Sequence, residues 1–176
     1  MKMQWWSSCV SVAVVTSVLF VSGCGKIAKK AAEQAIESEL EKDGGTADFD
    51  LTEDGFSAEV DGVDGKAQYA IGASAKVPAD WPSDIPVFDG LKLNMSHANK
   101  DQGTFVIQGN STAGFQEVID FYAAAAAKEG WKEESVSKQG DSMWIQGLSK
   151  DGRMLTIMVA ASDEGTSVTQ TTNSND

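Results

Sequence analysis

Histidine and cysteine are almost absent from this chain: one of the first and two of the second in 176 residues. That supply cannot furnish a Cys₂His₂ or Cys₄ zinc site. It leaves His97 as the single imidazole for any Ser–His chemistry, and no sequence signal sets a serine or an orienting acid beside it. Basic charge is scarce as well. Fourteen Lys and Arg stand against 26 Asp and Glu, a formal net charge of −12. This argues against a nucleic-acid partner, which needs a basic stripe. The chain carries no G-x-S-x-G, no H-E-x-x-H and no glycine loop followed by Lys-Ser/Thr. The expectation is therefore a protein that is not an enzyme, with no catalytic residues, no metal ligands and no cofactor. Long apolar runs are also few. The one at Val10–Val21, VSVAVVTSVLFV, has the length of a signal-peptide core and falls short of the roughly 20 residues that span a bilayer.

The four residues at the end of that run are more specific. Val21-Ser22-Gly23-Cys24 fills all four positions of a lipobox and sits directly at the close of the apolar core. The amino terminus thus resembles that of bacterial lipoproteins. The resemblance implies that the Cys24 thiol receives a diacylglyceryl group and that the chain is cut between Gly23 and Cys24. Two or three acyl chains then hold the product stably, at about 0.8 kcal/mol per buried CH₂. Cleavage discards Cys9 and Lys2, takes the net charge to −13 and leaves Cys24 as the only cysteine, so no disulfide is expected. Gly25, where Asp would favour inner-membrane retention, is compatible with outer-membrane delivery in a two-membrane host. The expected location is membrane-anchored on the extracytoplasmic side.

Beyond the signal segment (1–23) the expected organisation has four parts. Residues 24–45 read as a lipid-anchored helical tether. KIAKKAAEQAIESELEK over 26–42 has strong helix propensity, with Ala28, Ala32, Ile36 and Leu40 at i+4 and Gly44-Gly45 as its end. Residues 46–76 read as an acidic, Gly/Asp-rich β-meander, because Phe49/Leu51, Phe56/Ala58/Val60 and Ala67/Tyr69/Ile71 alternate with other residues at period two. Asp50, Thr52, Asp54 and Gly55 imitate the start of a calcium loop, but position 12 is Asp61 instead of Glu and the flanks alternate as strands. Turn chemistry accounts for the same residues without a metal.

Residues 77–172 read as a C-terminal domain, and 173–176 as a disordered tail. All three prolines fall in VPADWPSDIPVFDG (77–90), which imposes an extended segment. Strands are expected around 91–95 and 104–108, then a helix capped by Ser111 or Thr112. Its stripe is Phe115, Val118, Ile119, Tyr122, Ala125 and Ala126. Further strands are expected around 132–137, 142–149, 153–160 and 166–172. The expected fold class is α+β: an antiparallel sheet (β-β-α-β-β-β-β) with one packed helix, preceded by the helical tether and the short β-meander. This stretch resembles the C-terminal domain of a group of uncharacterised bacterial envelope lipoproteins carrying the DWP-x-DIP-x-F-x-G motif, a resemblance that implies fold and location but no chemistry.

One helix covers one face of such a sheet. Trp144, Leu148, Met154 and Met158 are expected to share the other, where the meander lies over them or where they form a binding face. The functional expectation is a lipid-anchored, non-enzymatic envelope lipoprotein. Its domain serves as a binding or assembly module for an envelope protein or a second copy. The alternative is a carrier of an apolar or lipid ligand on the Trp144/Met154/Met158 face.

Overall fold

The computed structural model describes residues 46–62, 65–163 and 165–174. They form nine strands and one helix: β1 (Thr46–Leu51), β2 (Gly55–Gly62), β3 (Gly65–Gly72), β4 (Lys92–Asn99), β5 (Thr104–Ser111), α1 (Phe115–Lys128), β6 (Lys132–Gln139), β7 (Met143–Lys150), β8 (Arg153–Ser162) and β9 (Gly165–Ser174). All nine strands belong to one antiparallel sheet, in the spatial order β1-β2-β3-β4-β5-β9-β8-β7-β6. The chain moves by four antiparallel steps from β1 to β5. It then crosses through α1 to the far edge at β6 and meanders back until β9 closes against β5.

This corrects the expected fold class. The meander is neither a preceding unit nor a cover. β3 pairs with β4 from Ala67↔Asn99 to Ile71↔Met95, so the first three strands extend the C-terminal sheet edge to edge. The physical reason lies in β4: without β3 its outer edge would present a row of unpaired N–H and C=O groups, and adding strands satisfies them. A single 14-residue helix beside nine strands makes the architecture one strand-dominated sheet. The helical tether, like the signal segment and Cys24, lies outside the described residues.

One side of the sheet, the covered face, carries the core. There α1 buries Val118, Ile119, Tyr122 and Ala126 against Trp144, Leu148, Leu155, Ile157, Val159 and Val168. Each large apolar side chain enclosed this way contributes about 1.5–3 kcal/mol relative to exposure. The expected stripe of α1 is thus correct, but its start is not. Ser111 and Thr112 do not cap it. The N-cap is Gly114 with no side-chain hydrogen bond, because β5 continues through Ser111, whose Oγ accepts from the Ala113 N–H at 3.1 Å.

The proline-rich segment straps the same face beside the helix. Ile85 is buried, and Trp81, Phe88 and Leu91 lean on the core. The Trp81 indole donates to the Ile85 carbonyl at 3.1 Å, Gln170 Nε2 donates to the Pro86 carbonyl at 2.8 Å, and the Phe88 N–H donates to the Tyr122 hydroxyl at 3.2 Å. The strap therefore joins β9 and α1 through its own backbone. The extended run expected from the prolines is not what forms: the segment folds into successive turns, in which the Trp81, Ile85 and Leu91 N–H groups donate to the Pro78, Pro82 and Phe88 carbonyls at 3.0, 3.1 and 3.1 Å. A proline with φ near −65° suits the start of a turn as well as an extended chain.

Candidate functional site

Cross-strand register assigns every strand side chain to a face. Asp151 and Gly152 form a two-residue turn with φ of 50° and 75°, which sets Lys150 opposite Arg153 and hence Trp144 opposite Val159 and Leu148 opposite Leu155. Trp144 and Leu148 therefore lie on the covered face, 4% and 1% exposed. Met154 and Met158 lie opposite Ser149 and Ile145, on the other face, where Met154 is 36% exposed. The four residues expected to form one binding face are divided two and two. The meander covers none of them, since α1 and the strap already enclose the tryptophan and the leucine.

Met154 and Met158 belong to a larger surface, the open face, which no described element covers. Taken by register from edge to edge, it presents Phe49 and Leu51 from β1, Phe56 and Val60 from β2, and Tyr69 and Ile71 from β3. Met95 and His97 from β4, Val106 and Gln108 from β5, and Thr169 and Thr171 from β9 continue it. Thr156 and Met158 from β8, with Met143 and Ile145 from β7, extend it toward the β6 edge. Tyr69 is 43% and Ile71 53% exposed. Phe49 and Phe56 stack at 5.9 Å between centroids, and Tyr69 lies on the His97 ring at 4.4 Å.

The distribution of charge between the faces is the opposite of the usual one. An antiparallel sheet covered on one side ordinarily solvates the other with charged residues. Here Asp48, Asp50, Glu59, Asp61 and Lys66 project on the covered face over β1–β3, beyond the reach of α1, and Lys138, Lys150 and Arg153 project there beside α1 and the strap, which they contact. The open face carries Lys92 at the start of β4, Lys132 at the start of β6 and Glu134 at the β6 bulge. Away from these strand ends, among the described residues, it holds apolar, hydroxyl and amide side chains and His97. Burial lowers the His97 pKa below 6.5, with a backbone hydrogen bond at Gln68 acting the other way. Burial thus favours the neutral imidazole, in keeping with its surroundings.

Two charged features stand on the covered face. Over β1–β4, where α1 does not reach, a groove of about 360 Å³ is lined by Asp48, Asp50, Glu59, Gln68 and Lys76. It is open and mixed in character, with Tyr69, Val77 and Pro78 beside the charged groups, and among the described residues no group of three His, Cys, Asp or Glu is gathered to hold a metal. The residues that imitated a calcium loop form the β1–β2 turn: the Thr52 N–H and hydroxyl both donate to the Gly55 carbonyl, at 2.8 and 2.9 Å. The second feature is an ion cluster. Arg153 grips Asp84 with two nitrogens at 2.9 and 2.6 Å, Lys150 reaches the same carboxylate at 2.7 Å, and the Arg153 guanidinium lies 5.0 Å over Trp131. The Trp131 indole donates to the Asp84 carbonyl at 2.8 Å. This cluster ties the strap to β7, β8 and the end of α1. It accounts for Asp84 of the DWP-x-DIP motif as a fastening, while Ile85 beside it is a core residue.

Sequence reasoning missed the buried amides Gln146 and Gln170, which flank Ile157 beneath α1. It also missed the near-neutrality of the open face. The first carried no signal. The second was present in the alternation of each strand, once register joins them.

A family model described as START domain-like matches residues 91–172, the stretch from the end of the strap through β9. No curated protein matches the chain, and no solved structure does.

Proposed function

We propose that the protein is a non-enzymatic envelope lipoprotein, held to a membrane through lipid on Cys24, whose sheet acts as a binding module. The observation that carries the binding reading is the open face. A chain with a net charge of −12 confines the ionised side chains on that side to strand ends, and leaves Tyr69, Ile71 and Met154 exposed there. Water favours charge on a solvated face, so a face nearly without it is suited to contact with a neutral, partly apolar surface. The anchoring part rests on the lipobox Val21-Ser22-Gly23-Cys24. Changing Cys24→Ala in the native host should abolish fatty-acid labelling and release the protein from the membrane fraction. Persistent labelling and sedimentation with membranes would sink the lipoprotein reading.

A second reading, carriage of an apolar or lipid ligand, is supported by the START domain-like match. Its site changes with the register: Met154 and Met158 remain available, whereas Trp144 and Leu148 are core. The space between α1 and the sheet is filled by Tyr122, Val118 and Ile157, all at 0% exposure, so a ligand would lie on the open face instead of inside. Native mass spectrometry of protein extracted from its host checks this. A bound mass of lipid size, beyond the covalent anchor, is the expected signature, and a bare mass counts against it.

A further inference from the structure

We propose that the open face is an isologous interface, on which a second copy of this chain seats to form a two-sheet sandwich. The proposal rests on the reading of this face as the binding surface, and names its occupant.

Four kinds of occupant are open to a nearly neutral sheet face, and the molecule distinguishes among them. A small ligand is held in a concavity, but the two grooves over β1–β4 among the described residues take Asp48, Glu59 and Gln68 of the covered face into their linings, and the smaller one at Lys132, Ser149 and Lys150 sits at the β7–β8 turn, away from the middle of the open face. An anionic membrane surface is bound through clustered Lys and Arg, and the strand positions of this face offer only Lys92 and Lys132, on separate strands, with Glu134 opposing. A basic protein partner would be matched by acidic groups, yet the acids of β1 and β2 project to the other side.

A second copy needs none of these. A nearly neutral surface placed on itself brings few like charges together, whereas almost any other arrangement of two molecules of net charge −12 would bring many. The face also alternates large and small residues in a way that suits interdigitation. Phe49 and Phe56 stand beside Ala58, and Met158 stands beside Thr156 and Thr169. Two sheets of the same twist meet in aligned sandwiches at about −30°, with the inner side chains forming a layer about 10 Å thick.

The area suffices. Nine strands span eight spacings of about 4.8 Å, and strands of about eight residues rise about 3.3 Å per residue, so one face offers on the order of 1,000 Å². Two copies in full contact would bury about 2,000 Å² in total, and half of that reaches the ~1,000 Å² that a specific interface requires. Extending the sheet edge to edge is the poorer geometry. At the β6 edge, Glu133 and Glu134 and a register shift blunt the strand. At the β1 edge, Asp48 and Asp50 would meet their own copies across a two-fold axis.

The test uses the full chain in two settings. Extracted in mild detergent and measured by native mass spectrometry at micromolar concentration, the protein should show twice the chain mass. Thr156→Lys and Thr171→Lys, at exposed cross-strand positions, should each weaken dimerisation about a hundredfold or more, because the two-fold doubles every introduced charge. Circular dichroism should be unchanged for both. A monomer at tens of micromolar, or a dimer indifferent to both lysines, overturns the proposal. In cells, a photo-crosslinker at Thr156 (Thr156→p-benzoylphenylalanine) separates this failure from failure of the underlying reading. Capture of a second copy supports the proposal. Capture of a different protein overturns it and leaves the binding face standing. Capture of nothing overturns both.

Discussion

Asp84 shows how one side chain can serve a whole segment. It lies in the strap, far in sequence from Lys150 and Arg153, and holds both. The Arg153 hydrogen bonds keep its carboxyl well below the ordinary carboxylate range, burial opposes them, and Lys150 adds to the lowering. A depressed carboxylate pKa means that the stabilisation is present above the unfolded value near 4 and is lost as pH falls from there through the folded value. Asp84→Ala removes the shared acceptor and leaves two cations facing each other over Trp131. The expected cost is about 2 kcal/mol at pH 7, because the cluster is only partly buried. Urea unfolding at pH 7 and pH 3 should show the gap between variant and parent shrinking at the lower pH. An equal gap at both values would mean that the carboxylate charge is not what fastens the strap. None of this was legible beforehand: the sequence displays Asp84 as one acid among 26, and only the fold brings residues 84, 150 and 153 together.

At the scale of elements, much was legible because it is local. The period-two runs of β1, β2 and β3, and the apolar stripe of α1, arise from side-chain direction along one strand or helix. What local pattern does not supply is which face of one strand joins which face of the next. The alternation within β7 and within β8 is legible from sequence, but it does not say that Trp144 and Leu148 lie on the side opposite Met154 and Met158. The deciding feature is the Asp151-Gly152 turn. Two residues between Lys150 and Arg153 force even-numbered positions of β7 opposite odd-numbered positions of β8. An Asp-Gly hairpin signal is visible in sequence, so this part of the site was within reach. Gly152 has φ of 75°, which a β-branched residue adopts only with strain. Gly152→Val should therefore destabilise the protein by about 1–3 kcal/mol. Thermal melting of the variant checks this, and an unchanged midpoint would show that the turn is not what holds the register.

For the whole molecule, continuity of the sheet has its own consequence. Because β3 pairs with β4 and β5 with β9, the meander and the C-terminal strands should unfold together. Loss of sheet measured by circular dichroism and loss of the core measured by the fluorescence of Trp131 and Trp144 should share one midpoint in urea. Two separated transitions would mean that β1–β3 form an independent unit. The sequence by itself determined the character of the parts: the scarcity of histidine, cysteine and basic charge, the strand and helix periods, and the gathering of all three prolines in one segment. These depend on neighbours a few residues apart, where chemistry acts without the fold. The tertiary structure alone decided that the meander extends the sheet instead of covering it, that Asp84 meets Arg153, and that the nearly neutral sides of nine strands coincide on one face. Those outcomes depend on strand register and on contacts across as many as 84 positions, which no local pattern encodes.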